Sequence, residues 1–210
     1  MGNKLGEQTK EKILNAALIE FIEKGVDDAR IEDIAKRAGL TKVMLYYHFN
    51  SKENLVSELM VRLSNEITEK FRENLSNIDI KDPQSVRSHV ETMLDYFYGR
   101  KEILRLITSE SIKDKNGMGS FYIFEELFST VSSIVGDNYK INDNTNASRQ
   151  YQFLTRVFFF NMIPMVMYSS LSDKFNDDFG INKEKSREAF IDTFINVLYK
   201  NLVEQQGSKK

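Results

Sequence analysis

Apolar positions recur along this chain at spacings of three and four, so the sequence predicts a succession of amphipathic helices. Ile13, Leu14, Ala17, Leu18, Phe21 and Ile22 mark a first helix starting at Thr9 and ended by Gly25, with residues 1–8 expected to form a flexible arm. Ile31, Ile34, Ala35 and Ala38 mark a second, short helix. Gly39 follows where the chain needs a positive φ, and Thr41 is placed to cap a third helix whose buried side carries Leu45 and Phe49. Asn50 or Ser51 then caps a long rod with Leu55, Leu59, Leu63, Ile67 and Phe71 on one side, reaching about Ser76. Helix, glycine turn and short helix form the helix-turn-helix pattern, in which the second helix enters a DNA major groove.

The remainder continues in helices. Pro83 opens one with Val86, Val90, Met93, Leu94 and Phe97 on a single face; Gly99 breaks the chain; Ile103, Leu104, Leu106 and Ile107 mark a short helix. A loop is expected over 113–120, a helix from Phe121 to Ile134, and a polar loop over 140–146. Residues 147–170 are apolar nearly all round, with a kink expected at Pro164. A long polar loop over 171–185 and a last helix with Phe190, Phe194, Val197 and Leu198 complete the pattern.

The segment AGLTKVMLYYHFNSKENL resembles the recognition segment of tetracycline-repressor-like (TetR) transcriptional regulators. The likeness rests on Ala38-Gly39, the run Leu45-Tyr46-Tyr47-His48-Phe49, and Ser51-Lys52-Glu53-Asn54-Leu55, with Phe21, Gly25, Ile34 and Ala35 upstream; it covers residues 10–60. It implies an all-α protein with an N-terminal three-helix DNA-binding domain over 1–52, a connector helix over 53–76, and a helical-bundle ligand-binding and dimerisation domain over 77–210. It also implies a repressor that binds a pseudo-palindromic operator as a homodimer. Two positions depart from the family pattern. Arg30 stands where a hydroxyl residue is usual, so either Asp28 caps the second helix or Arg30 reaches a phosphate. Val43 and Met44 stand where a small or polar residue is common, and Met44 can touch a thymine methyl but cannot hydrogen-bond a base edge.

On this reading Tyr47, His48 and Lys52 meet phosphates, Lys42, Thr41 and Met44 face bases, Arg30 is a further contact, and Tyr46 sits between core and DNA. Tyr96, Phe97, Phe121, Phe124, Phe128, Phe153, Phe158, Met162 and Tyr168 are expected to line a cavity for a small apolar or amphipathic ligand that releases the DNA. Phe190, Phe194, Val197 and Leu198 are the candidate dimer contacts, on the last two long helices, 147–170 and 185–203.

Composition narrows the alternatives. A net charge of −2 over 210 residues excludes a basic coat protein, so DNA contact must come from a local patch. No cysteine is present, and two histidines alone build no metal site. Pairs such as Glu91 with Asp95, or Glu125 with Glu126, invite an enzymatic bundle reading, but the Glu-x-x-His pairs of a di-metal bundle are missing; neither enzyme activity nor a cofactor is expected. The apolar run around Pro164 is too short and interrupted for a membrane span, and the polar N-terminus shows no signal core, so a cytoplasmic protein is expected. A helical adaptor without a small-molecule ligand is the remaining alternative.

Overall fold

The computed structural model describes residues 2–75, 78–79, 82–113, 151–152 and 155–207. Every regular element among them is helical: α1 (Gly2–Asp28), α2 (Ile31–Arg37), α3 (Lys42–His48), α4 (Lys52–Leu75), α5 (Pro83–Tyr98), α6 (Lys101–Lys113), a π-helical stretch (Arg156–Met162), α7 (Ile163–Phe179) and α8 (Lys183–Gly207). The helix expected from Phe121 to Ile134 and the loops beside it lie outside the described residues. The chain forms two compact units. One takes in Met1–Ile67 and α6 from Arg105 onward; the other takes in Thr68–Leu104 with α7 and α8.

In the first unit, Ile13, Ala17, Phe21, Ile34, Leu45, Phe49, Leu55, Leu59 and Leu63 are all buried, so the predicted stripes of the first four helices converge on one core. Ile22 does not join it and is exposed, while Ala16 and Glu20 are buried instead. Residues 2–8 are not an arm: α1 begins at Gly2. Glu, Gln and Lys favour helix without leaving an apolar stripe, so hydrophobic periodicity misses such a turn. Gly25 ends the regular part of α1 with φ 79 and ψ 160, a conformation essentially reserved for glycine.

Glu20 draws α1 and α2 together. Glu20 is 3% exposed; its carboxylate accepts from Arg37 Nε at 2.7 Å and pairs with Lys24 Nζ at 2.8 Å. Arg37 reaches on to Glu23 at 2.6 Å, and Lys24 to Asp33 at 3.0 Å. The proton of Glu20 is held below the usual carboxylate range, first by the Lys24 hydrogen bond and against the opposing effect of burial. Arg62 fixes α4 to α1 through Glu11 and Asn15, at 2.9 and 2.8 Å.

In the second unit, α5 packs on α7 and α8. Asp82 caps α5, accepting from the backbone N–H groups of Gln84 and Ser85, and Val86, Val90, Met93, Leu94 and Phe97 form its buried face as predicted. One expectation is corrected here. No long loop spans 171–185: α7 continues to Phe179, where Gly180 in the left-handed conformation stops it, and only residues 180–182 separate it from α8. The segment LSDKFNDDF reads as polar, yet its apolar residues Leu171, Phe175 and Phe179 are four apart, a helical spacing. The helix changes type at Pro164, the position where a kink is expected. The chain widens into π-helix just before it, with the Ile163 N–H reaching Phe158 O five residues back. This arrangement accommodates a residue that has no N–H and crowds the preceding turn. Tyr168 stacks on Phe190 at 4.2 Å, and Phe190 stacks on Phe194 at 5.6 Å, joining α7 to α8. Among the described residues no helix is long and apolar enough to cross a membrane.

Candidate nucleic-acid interface

The turn before α3 is fixed by backbone alone. Gly39 has φ +70, its N–H bonds to Lys36 O at 3.1 Å, and the Leu40 N–H bonds to Ala35 O at 2.9 Å, the paired pattern of a Schellman cap. Thr41 opens α3 and accepts from the Met44 N–H at 3.2 Å, as its position predicted. Leu45 and Phe49 are fully buried and hold α3 by one side. Opposite them, Tyr47 is 84% exposed and Val43 79% exposed, with Met44 and Tyr46 half-exposed beside them. His48 is half-buried, its ring edge against Tyr47 at 5.3 Å between centroids.

Of the two routes expected at the start of α2, capping by Asp28 is not used. Arg30 itself is the cap residue, extended and without a side-chain hydrogen bond, so Asp28 does not cap α2. The Arg30 side chain is exposed. α4 is capped by Ser51, which accepts from the Asn54 N–H at 3.1 Å. The same end carries Glu53, whose carboxylate is held below its ordinary range by its own backbone N–H and then by Ser51. The positive end of that helix is thus partly answered from within the chain.

Two of the three expected cations, Lys42 and Lys52, are engaged. Lys42 Nζ lies 2.5 Å from Glu32 Oε1 and 5.7 Å from the centre of the Tyr46 ring. Glu32 raises the pKa of the Lys42 ammonium and has its own carboxyl lowered in return. Lys52 Nζ donates to the Asp27 carbonyl oxygen at 3.0 Å, and the Asp27 carboxylate is tied to Lys113 at 2.8 Å. Glu32 and Asp27 carry no local motif, because their roles come from tertiary packing: Glu32 of α2 meets α3, and Asp27 of α1 meets Lys52 of α4 and Lys113 of α6.

In the second unit, a cavity of about 280 Å³ is lined by Leu94, Asp95, Tyr98, Tyr168, Ser172, Asp173, Asn176, Lys183, Glu184 and Arg187. Of the expected ligand residues, Tyr168 lines it. Phe97 and Met162 are buried, Tyr96 and Phe158 are half-buried, and Phe121, Phe124, Phe128 and Phe153 lie outside the described residues. The cavity is more polar than the sequence suggested. Asp173 accepts from Lys101 at 2.5 Å, from the Tyr98 hydroxyl at 2.8 Å and from Lys183 at 3.1 Å, and these donors hold its carboxyl well below the usual range. Asp95 pairs with Arg187 at 2.7 Å. Of the expected dimer residues, Phe194 is buried within its own chain, Phe190 is half-buried and Val197 is exposed; the side chain of Leu198 lies outside the described residues. Leu171, Phe175 and Phe179 form an exposed apolar line on α7, within the stretch whose polar composition suggests a loop.

Residues 13–59 match the family model described as bacterial regulatory proteins, tetR family. The chain is 30% identical over 107 residues to the HTH-type transcriptional repressor SCO4008 of Streptomyces coelicolor, covering 51% of this chain and 52% of that protein. It is 32% identical over 110 residues to the HTH-type transcriptional repressor NicS of Pseudomonas putida, covering 50% of each. It thus spans about half the length of these curated relatives, both named as transcriptional repressors. Among solved structures, a TetR-family regulator from Mesorhizobium loti superposes with a TM-score of 0.62 at 20% identity, covering 91% of this chain and 97% of that one. A TetR-family regulator from Streptomyces coelicolor superposes with a TM-score of 0.64 at 12% identity, covering 96% and 86%. These likenesses extend the shared fold over most of the chain. Residues 13–59 are thus similar to the tetR family of bacterial regulatory proteins, and most of the chain shares the all-helical fold of the matched structures.

Proposed function

We propose that this protein is a repressor that binds a pseudo-palindromic operator as a homodimer in the cytoplasm. The supporting observation is the presentation of α3: a Schellman turn and a Thr41 cap set its start, Leu45 and Phe49 anchor one side, and Tyr47, Val43 and Met44 project from the other. A helix held in this way can enter the major groove, and a two-fold dimer places two such helices on successive grooves. Lys42 faces base edges once it exchanges Glu32 for DNA, while Arg30, Tyr47, His48 and Lys52 meet phosphates. Thr41 and Tyr46 flank the contact. The exposed line Leu171, Phe175 and Phe179, with Val197, supplies the apolar surface of the dimer; Phe190 and Phe194 support it by packing α8 on α7.

The test is binding to operator duplex and to unrelated duplex across a salt series. Lys42→Ala should reduce discrimination between the two. Lys52→Ala should weaken both alike and flatten the dependence of log K on log salt by about one phosphate contact. Operator binding that shows no loss in Lys42→Ala combined with Tyr47→Phe would remove α3 from the groove.

The second unit is the place for a small apolar or amphipathic effector. Its cavity lining combines Tyr168 and Leu94 with the charged side chains of Asp95, Asp173, Lys183, Glu184 and Arg187, a composition suited to a ligand with an apolar part and a polar end. A ligand that lowers DNA affinity must itself be weakened by DNA to the same degree, typically about 1–3 kcal/mol of coupling. Hits from a thermal-shift screen that bind equally with and without operator would separate the cavity from regulation.

A further inference from the structure

The side of α3 that faces away from the core is apolar, and this gives the reader a particular chemistry. Leu45 is the buried anchor. With 3.6 residues per turn, Val43 and Tyr47 both lie roughly 160° around the helix from it, one on each side of the outermost point. Met44 is the next residue round. The leading edge is therefore a β-branched hydrocarbon, a thioether and an aromatic ring. The polar groups beside that edge already have partners in the unbound chain: Thr41 Oγ1 accepts from the Met44 N–H, and Lys42 is paired with Glu32 and lies over Tyr46.

We infer that Val43 and Met44 determine sequence specificity by packing on the 5-methyl groups of thymine, so that the core of each half-site carries T·A pairs where they touch. This rests on the DNA-reader assignment above and gives it a base chemistry. The floor of the major groove presents hydrogen-bonding groups at every base pair, and the thymine methyl is its apolar feature. An isopropyl group over that methyl removes apolar surface of both from water. The same isopropyl group over guanine covers the N7 and O6 acceptors and supplies no donor, leaving desolvated polar atoms unmatched. Val43 and Met44 thus favour thymine and also disfavour G·C, the two arms from which specificity is built. Tyr47 and Lys52, assigned above to phosphates, select no base, so the preference for T·A falls on the apolar pair, beside what Lys42 reads.

The experiment starts from duplexes selected by the wild-type dimer from a randomised pool. The selected duplex is compared with one in which the half-site thymines are replaced by deoxyuracil, which removes the methyl and keeps every hydrogen-bonding atom. Wild-type protein should bind the uracil duplex about fourfold more weakly for each contacted methyl lost, the equivalent of about 0.8 kcal/mol for one methyl-sized group. Val43→Ala and Met44→Ala alter exposed side chains, so both variants should fold. Each should bring the thymine-to-uracil ratio towards one, which also separates loss of contact from any change in DNA stiffness. Equal wild-type affinity for the two duplexes overturns the inference, as does a wild-type ratio retained in both variants. A pool in which no sequence is enriched overturns the DNA-reader assignment itself, and with it this chemistry.

Discussion

Replacing Gly39 by alanine isolates the contribution of one backbone angle to the recognition unit. Gly39 has φ +70, and a Cβ built on it meets no atom within 4 Å. Steric collision is therefore absent, and the cost is the intrinsic one of an L-residue in the left-handed region, roughly 1–2 kcal/mol. Alanine also restricts the unfolded chain, which offsets about 0.4–1 kcal/mol of that. The expected net loss is about 1 kcal/mol, or about 4–8 °C in Tm if the N-terminal unit unfolds as a domain of 60–100 residues. Gly39→Asn should cost less, because asparagine tolerates this region. Gly25→Ala should cost more: its pair of φ 79 and ψ 160 lies outside the left-handed helical well, although the added Cβ would again meet nothing within 4 Å. Urea unfolding followed by far-UV circular dichroism, read at the transition of the N-terminal unit, orders the three variants. A Gly39→Ala protein as stable as wild type would refute the reasoning, as would an asparagine variant less stable than the alanine one.

Three further outcomes follow from the ion pairs and the exposed faces. The Glu20 carboxyl is depressed below its ordinary value of 4.5, so its contribution is complete above that pH and is lost as pH falls through the lower folded value; Glu20→Gln should destabilise the N-terminal unit at neutral pH, and the gap to wild type should shrink in acid melts. Asp173 follows the same sign from its ordinary value of 3.8, so Asp173→Asn should weaken the second unit at pH 7 and differ progressively less below about pH 4; a gap independent of pH in urea titrations would contradict the role of Lys101, Tyr98 and Lys183. Phe175→Glu and Phe179→Glu each place a charge on the exposed face of α7, and light scattering should report monomers; dimers persisting in both would move the interface elsewhere.

The recognition unit was legible in the sequence because its determinants are local. A glycine at a positive φ, a threonine three residues before the N–H it caps, and apolar residues at helical spacing act within a few residues of one another. Leu45, Phe49, Leu55 and Leu59 could therefore be placed in the core from spacing alone, and all four are fully buried. Composition and the missing ligand spacings likewise set the expectation that the bundle is not an enzyme. The start of α1 and the second half of α7 escaped the same reading because polar turns leave no apolar stripe, and a helix rich in Asp and Asn looks like a loop until packing supplies what its propensity lacks.

Only the tertiary structure decided the long-range partners. Glu20 lies on a stripe that spacing assigns to hydrocarbon, and it is buried because Arg37, seventeen residues later, arrives beside it. Glu32 is bound to Lys42 across the turn, and Asp173 gathers Tyr98, Lys101 and Lys183 from three different helices. The division of an apolar residue between core and surface is a tertiary fact as well. Val43 and Phe175 look like core residues in a list of hydrophobics, and their exposure follows from which side of α3 and α7 the rest of the unit already covers. Side-chain spacing fixes the faces of a helix; which face meets water depends on what packs against it.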